Sequence, residues 1–219
     1  MPKKLIIFPA GGNAREALVI VEAVNKTKMT WDVVGFLDAD PSLWGRRIHG
    51  VKIFSEKDCR QRFAQAHVLA VVGNPQNYLK RADIIKNLKV NPTRFATVIH
   101  PTAVISSNAK IGFNTLIMAN VVVGSNVSIG NHSVILPNTT ISHDSQIGDY
   151  TCIGANVAIS GSVMIETGCY IGSGVNIREK IRIGKKSLIG LGSNVVKDVK
   201  KETTVTGNPA KSVKGKTKR

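Results

Sequence analysis

His143 is the side chain best placed to move a proton. Asp144 follows it, and an adjacent carboxylate can fix the tautomer of an imidazole acting as general base. Gly161, further along the chain, leaves room beside the ring if the chain repeats so as to stack the two. The alternative is a solvated corner histidine beside a turn aspartate. Metal chemistry is disfavoured within one repeat domain, because His100, His132 and His143 fall at different places in an 18-residue period and do not stack. Cys59, Cys152 and Cys169 are odd in number and lack metal spacing, so neither a disulfide framework nor a zinc site is implied.

A second group of residues suits phosphates and hydroxyls. Gly11-Gly12-Asn13, Asp38-Ala39-Asp40 and Gly73-Asn74 each follow an apolar run. Glycines let backbone N–H groups approach a phosphate at a helix N-terminus, and Asp38 can accept hydrogen bonds from ribose or sugar hydroxyls. The turn lacks the full dinucleotide fingerprint, and tight turns alone would also explain the glycines.

The elements that must position these residues are of two kinds. Before residue 98 the chain alternates. Lys4 to Phe8, Trp31 to Leu37 and His67 to Gly73 read as strands; Ala14 to Asn25, Glu56 to Ala66 (with Ser55 as N-cap) and a segment from Pro75 through Leu88 read as helices. This predicts a small parallel α/β sheet, with the three glycine and aspartate segments converging beyond the carboxyl ends of its strands.

From Ile99 to Val195 every sixth residue is Ile or Val, 17 positions without a break. Two residues before most of them stands a small or modest side chain, such as Ala103, Thr115, Ser133, Thr139 or Cys169. This is the mark of a parallel β-helix built from hexapeptides. Residues i and i−2 share one strand face, here the face pointing into a narrow prism; the residues that follow turn the corner. Three hexapeptide faces make one coil, so residue i stacks on residue i+18. A β-sandwich would not hold one period over so many strands. Cys169 then points inward as packing, Cys152 outward, and Gly161 lies directly over His143.

The net charge is +16, shared equally between the two halves. In the second half 13 of the 14 basic residues follow Ile177, among them Lys185, Lys186 and Lys197. No aromatic platform accompanies them, so nucleic-acid binding is not expected, and attraction of a polyanionic small molecule is the better reading. No stretch of apolar residues is long enough to cross a membrane, and Met1 to Lys4 leads into a strand rather than a signal peptide. A cytoplasmic location is the expectation.

Six short stretches carry a resemblance: Leu5 to Ala14, Gly35 to Asp40, Val72-Gly73-Asn74, His100 to Ala103, Ile141-Ser142-His143-Asp144 and Gly207 to Lys211. In this order they resemble the sialic acid O-acetyltransferase (NeuD-type) family of hexapeptide-repeat acyltransferases, most closely its branch that N-acetylates nucleotide-linked 4-amino-6-deoxysugars. The resemblance spans nearly the whole chain. It implies a Rossmann-like domain over 1–98, a left-handed β-helix over 99–206, a basic tail over 207–219, and a homotrimer. The nucleotide-sugar would be held by Gly11, Gly12, Asn13, Asp38, Ala39 and Gly73. Acetyl-CoA would lie between neighbouring prisms, touching Cys152, Gly161, Ser173 and Leu191. His143 would be the base and Asp144 its acidic neighbour, with no metal. Pro9, Asn13 and Cys152 depart from the glycine and histidines common at these places. The expected activity is acetyl transfer from acetyl-CoA to the amine of a nucleotide-linked amino-deoxysugar for surface glycan synthesis. O-acetylation of a sialic acid or related sugar, and a non-catalytic sugar-nucleotide-binding scaffold, are the alternatives.

Overall fold

The computed structural model describes residues 1–213, apart from the side chains of Cys59 and Arg60; the end of the basic tail, Lys214 to Arg219, lies outside the described residues. The N-terminal domain is built from β1 (Lys3–Phe8), α1 (Gly12–Thr27), β2 (Trp31–Asp38), β3 (Arg47–Ile48), β4 (Val51–Ser55), α2 (Glu56–Gln61), β5 (His67–Ala70) and α3 (Arg81–Asn87). Its sheet has the order β3-β4-β2-β1-β5. β1, β2, β4 and β5 are parallel and β3 is antiparallel to β4. The sheet is therefore not wholly parallel. The β3–β4 hairpin turns at His49-Gly50, where both residues have positive φ (46° and 80°). Its alternation is too short to stand out in the sequence.

Two helices also differ from expectation. α2 starts at the Ser55–Asp58 capping box and stops early, at Gln61. Pro75 lies in a turn, and the segment after it begins as a 3₁₀ turn, Tyr78–Lys80, before α3. The core is continuous on both faces of the sheet. Leu5, Ile7 and Phe36 pack towards α1 on one side, and Ile6, Phe8 and Leu37 towards Ile85 and Leu88 on the other.

The second domain is a three-faced prism of seventeen two-residue strands, β6 (Val98–Ile99) to β22 (Asn194–Val195). The first face begins with Val98–Ile99, the second with Val104–Ile105 and the third with Lys110–Ile111, and every third strand returns to the same face. Partners stand three hexads apart throughout, as in Val134 with Cys152 and Thr140 with Ala158. The hexad side chains and their i−2 neighbours fill the axis, from Ile117 and Val121 to Ile189 and Val195, all 4 % exposed or less. The third residue after each hexad position from Ile111 to Ile189 takes positive φ, from Asn114 at 53° and Asn120 at 58° through Asp144 at 60° to Gly192 at 63°. This explains the recurring asparagines, the residues other than glycine that best tolerate that region. The last coil is shorter: Leu188 pairs with Thr204 on β23 (Thr204–Thr206), and β24 (Lys211–Ser212) folds back antiparallel on it. The described start of the basic tail is thus docked, with Ala210 packed against the prism core.

The N-terminal domain covers the first face. The outward residues there, Val98, Leu116, Val134 and Cys152, are buried with the α1 side of the sheet. At the adjoining edge, between the third and first faces, Asn114 extends the sheet. Its Oδ1 accepts from the Ala70 N–H (2.7 Å) and its Nδ2 donates to the Ala70 carbonyl (3.1 Å) and lies 2.8 Å from His132 Nδ1. Arg81, fully buried, donates from Nε and Nη2 to the His132 carbonyl (3.2 and 2.6 Å). The His132 ring stacks on Tyr150 at 4.6 Å.

Candidate active site

His143 and Asp144 sit at the edge between the second and third faces, directly after the strand Thr140–Ile141. The backbone ladder fixes them from both sides: Asp144 N–H donates to the Ser125 carbonyl (2.9 Å) and the His143 carbonyl accepts from Ser162 N–H (2.8 Å). The left-handed turn at Asp144 points its carboxylate back at the imidazole, and His143 Nδ1 lies 2.8 Å from Asp144 Oδ2. A carboxylate only accepts, so Nδ1 carries a proton, and in the neutral ring the lone pair lies on Nε2. Asp144 is itself held: its Oδ1 accepts from Asn126 Nδ2 at 2.8 Å. The bonds from Asn126 and from His143 keep its carboxyl below the usual carboxylate range. Both dyad side chains are more than half exposed, 65 % and 51 %, so the base is open to a substrate.

Gly161 is where the register places it. A β-carbon there would stand 2.6 Å from both Cε1 and Nε2 of His143. The imidazole therefore lies against the Gly161 backbone, and the space expected beside the ring is occupied by the ring itself. Ser173 stacks below Leu191 on a different edge, between the first and second faces; Leu191 is 73 % exposed. The structure thus brings Gly161 to His143 and sets Ser173 and Leu191 at the opposite border of the second face.

Cys152 does not join them. It points out of the prism as expected, but beneath the N-terminal domain. It is 5 % exposed and its thiol contacts the Val72 carbonyl at 3.8 Å. A β-carbon on Gly73 would meet Cys152 Sγ (2.9 Å), Asn13 Nδ2 (3.1 Å) and Arg81 Nη1 (3.2 Å). Cys152 is therefore grouped with residues read for the sugar-nucleotide, and burial closes it to a cofactor within the protomer. Cys169 is inside the prism, donates to the Gly184 carbonyl, and burial pushes its thiol up to about 11. Among the described residues, no group of three or more His, Cys, Asp and Glu side chains could hold a metal ion.

The sugar-nucleotide candidates converge at the carboxyl end of the sheet. Gly11 caps α1 without a side-chain hydrogen bond, no acidic residue occupies the first turn of α1, and Gly12 there is exposed. Neither Gly11 nor Gly12 needs to be glycine for packing, since a β-carbon on either would meet nothing within 4 Å. Asn13 is fixed by donating from Nδ2 to the Val71 and Gly73 carbonyls (both 3.1 Å), which leaves its Oδ1 as acceptor. Asp38 braces the two loops instead of standing free: Oδ2 accepts from Ala10 N–H and Oδ1 from Asp40 N–H, each at 2.9 Å. Each oxygen keeps a second lone pair for a hydroxyl. Ala39 is exposed beside it.

Two participants escaped the sequence reading. Asn126 is one coil before Asp144, so the hexad register contained the signal. Arg81 carried no signal, because it reads as an ordinary helical residue.

A small Rossmann-like domain followed by a left-handed parallel β-helix is a fold this chain shares with hexapeptide-repeat acyltransferases among solved structures. The family model described as the GMPPB C-terminal domain matches residues 95–183. No curated protein sequence matches the chain. Among solved structures, the acetyltransferase domain of PglB from Neisseria gonorrhoeae is 26 % identical with a TM-score of 0.84, covering 96 % of this chain and 100 % of that one. That domain has also been solved in complex with acetyl coenzyme A. WeeI from Acinetobacter baumannii is 26 % identical with a TM-score of 0.81, covering 97 % and 100 %. PerB from Caulobacter crescentus, solved in complex with CoA and GDP-perosamine, is 22 % identical with a TM-score of 0.79, covering 97 % and 98 %. At that identity PerB speaks for the fold alone.

Proposed function

We propose that this chain transfers the acetyl group of acetyl-CoA to the amine of a nucleotide-linked amino-deoxysugar, with His143 as general base, in the synthesis of a surface glycan. The observation that carries it is the His143–Asp144 pair, open at Nε2, on a fold shared end to end with the PglB acetyltransferase domain. The amine attacks the acetyl carbonyl and Nε2 takes the proton that the amine loses. The tetrahedral intermediate collapses, the C–S bond breaks, and the imidazolium returns the proton to the departing CoA sulfur. A corner backbone N–H serves the oxyanion.

Residues 1–98 are assigned to the nucleotide-sugar, with phosphate at the open N-terminus of α1 and hydroxyls at Asp38. Residues 99–206 are assigned to catalysis, and 207–219 are the basic tail. The NeuD-type O-acetyltransferases are the wider family to which we assign the chain. The amine acceptor is preferred to a hydroxyl because the six stretches Leu5 to Ala14 through Gly207 to Lys211 resemble the N-acetylating branch of that family.

The working form is a homotrimer, and topology supplies the reason. The N-terminal domain covers the first face, while His143 lies on the edge between the other two, across the prism. The second face, Val104, Val122, Thr140, Ala158, Asn176 and Asn194, has no charged outward residue. Packing prisms around it brings the His143 edge of one copy to the Ser173–Leu191 edge of the next, with the cofactor between them. No described helix is long and apolar enough to cross a membrane; the enzyme is assigned to the cytoplasm, where acetyl-CoA and sugar-nucleotides are available. The test is thiol release from acetyl-CoA with a panel of nucleotide-linked amino sugars and hydroxyl-only analogues. Release confined to the amino sugars is expected. Release with a sialic acid alone would replace amine by hydroxyl transfer, and none with any acceptor would return the chain to a binding scaffold.

A further inference from the structure

We propose that Asn126 is a positioning residue for the His143–Asp144 pair, acting one coil away by locking the carboxylate that orients the base. The inference rests on the function proposed above. Asp144 has two oxygens and each has one side-chain partner: Oδ2 meets His143 Nδ1 and Oδ1 meets Asn126 Nδ2, both at 2.8 Å. A carboxylate held at one oxygen can rotate about χ2; held at both, it cannot turn away from the ring. Asn126 is anchored in turn. It stands in the left-handed corner position (φ 58°), and its backbone N–H donates to Asn108 Oδ1 at 3.0 Å. Asn108 Oδ1 also accepts from Ser106 Oγ (2.7 Å), and Asn108 Nδ2 donates to Ser125 Oγ (3.1 Å). The file Asn108, Asn126, Asp144 therefore climbs one edge a coil at a time and ends on the base.

The same prism contains its own control. On another edge Asn120 donates to Asn138, one coil on, at 3.2 Å. That pair is a corner ladder with no titratable group at its end. The Asn126 bond differs in ending on an ionised acceptor, and such bonds are shorter and roughly twice as strong as neutral ones. Asparagine at 126 also adds no charge of its own beside the carboxylate.

The test has one readout that needs activity and one that does not. In the ¹⁵N spectrum of His143 at alkaline pH, the wild type should show the Nδ1–H tautomer, and Asn126→Ala should move it towards a mixture with Nε2–H. Asn120→Ala should leave it unchanged. In steady-state acetyl transfer, Asn126→Ala should lower kcat about threefold to tenfold with both KM values held. Added to Asp144→Ala, it should lower kcat no further, because a residue acting through Asp144 has nothing left to position. An unchanged tautomer in Asn126→Ala, or losses that simply add in the double variant, would overturn the proposal. The ¹⁵N result decides the positioning role even if the chain proves not to acetylate amino sugars.

Discussion

Gly161 lies one coil beyond His143, so close that a β-carbon on it would stand 2.6 Å from the reactive Nε2. The contact is with the far end of a side chain, so alanine at 161 is accommodated by turning the imidazole away, at little expense in stability. Gly161→Ala should therefore lower kcat about tenfold to a hundredfold, in the range that misplacing a catalytic group costs. Its thermal midpoint should stay near that of the wild type. A stable variant with unchanged kcat would show that the ring does not lie against Gly161 during turnover.

Removal of the base itself is the plainer experiment. His143→Ala should lower kcat by about 10² to 10⁴, the usual worth of general-base help. Its oligomeric state, measured by light scattering, should not change, because the substitution leaves intact the second face (Val104, Val122, Thr140, Ala158, Asn176 and Asn194) around which the prisms are proposed to pack.

The opposite placement of substrate domain and base predicts complementation. Gly12→Asp puts a negative charge at the open N-terminus of α1, where the phosphates are expected. Mixed oligomers of His143→Ala and Gly12→Asp, each strongly impaired alone, should recover part of the wild-type thiol release. Recovery requires the base of one copy to serve the sugar-nucleotide of another, and its absence would assign both to a single protomer.

His132 links stability to pH. Burial first, and the Arg81 guanidinium second, lower it from 6.5 to about 4. Between these values the unfolded chain binds a proton that the folded chain does not. The stability is therefore fully present above pH 6.5 and is lost as pH falls towards 4, by up to about 3 kcal/mol. Denaturant melts at pH 7 and pH 4.5 should show the loss, and His132→Gln should flatten it. An equal slope in that variant would place the pH dependence on other groups.

The domain junction makes a second stability prediction, read at pH 7. Asn114→Ala leaves the Ala70 N–H and carbonyl and the His132 ring without a partner inside a buried seam. Unpaired buried polar groups cost roughly 1–3 kcal/mol each, and partial relaxation should leave a net loss of about 2–4 kcal/mol. A melt that does not move would mean that water replaces the amide.

The hexad from Ile99 to Val195 determined the prism by itself, because one period repeated seventeen times admits only one side-chain-in arrangement. The same register placed Gly161 on His143, kept His100, His132 and His143 on three different edges, and contained Asn126 below Asp144. Local rules also made the β1–α1 turn legible, since an apolar strand followed by glycines and a helical pattern needs no distant partner. Tertiary structure alone decided what lies against what across the domain seam. Cys152 is an outward residue of the prism and nothing in its neighbours says that a second domain covers it. Arg81 looks like a surface residue of a short helix until the prism supplies the His132 carbonyl. Asp38 looks free to bind a ligand until Ala10 and Asp40 fold back on its oxygens. The repeat is written in the chain because its contacts recur at a fixed separation. The seam is not, because its contacts join residues as far apart in the chain as Val72 and Cys152, or Tyr78 and Lys186, that share no pattern.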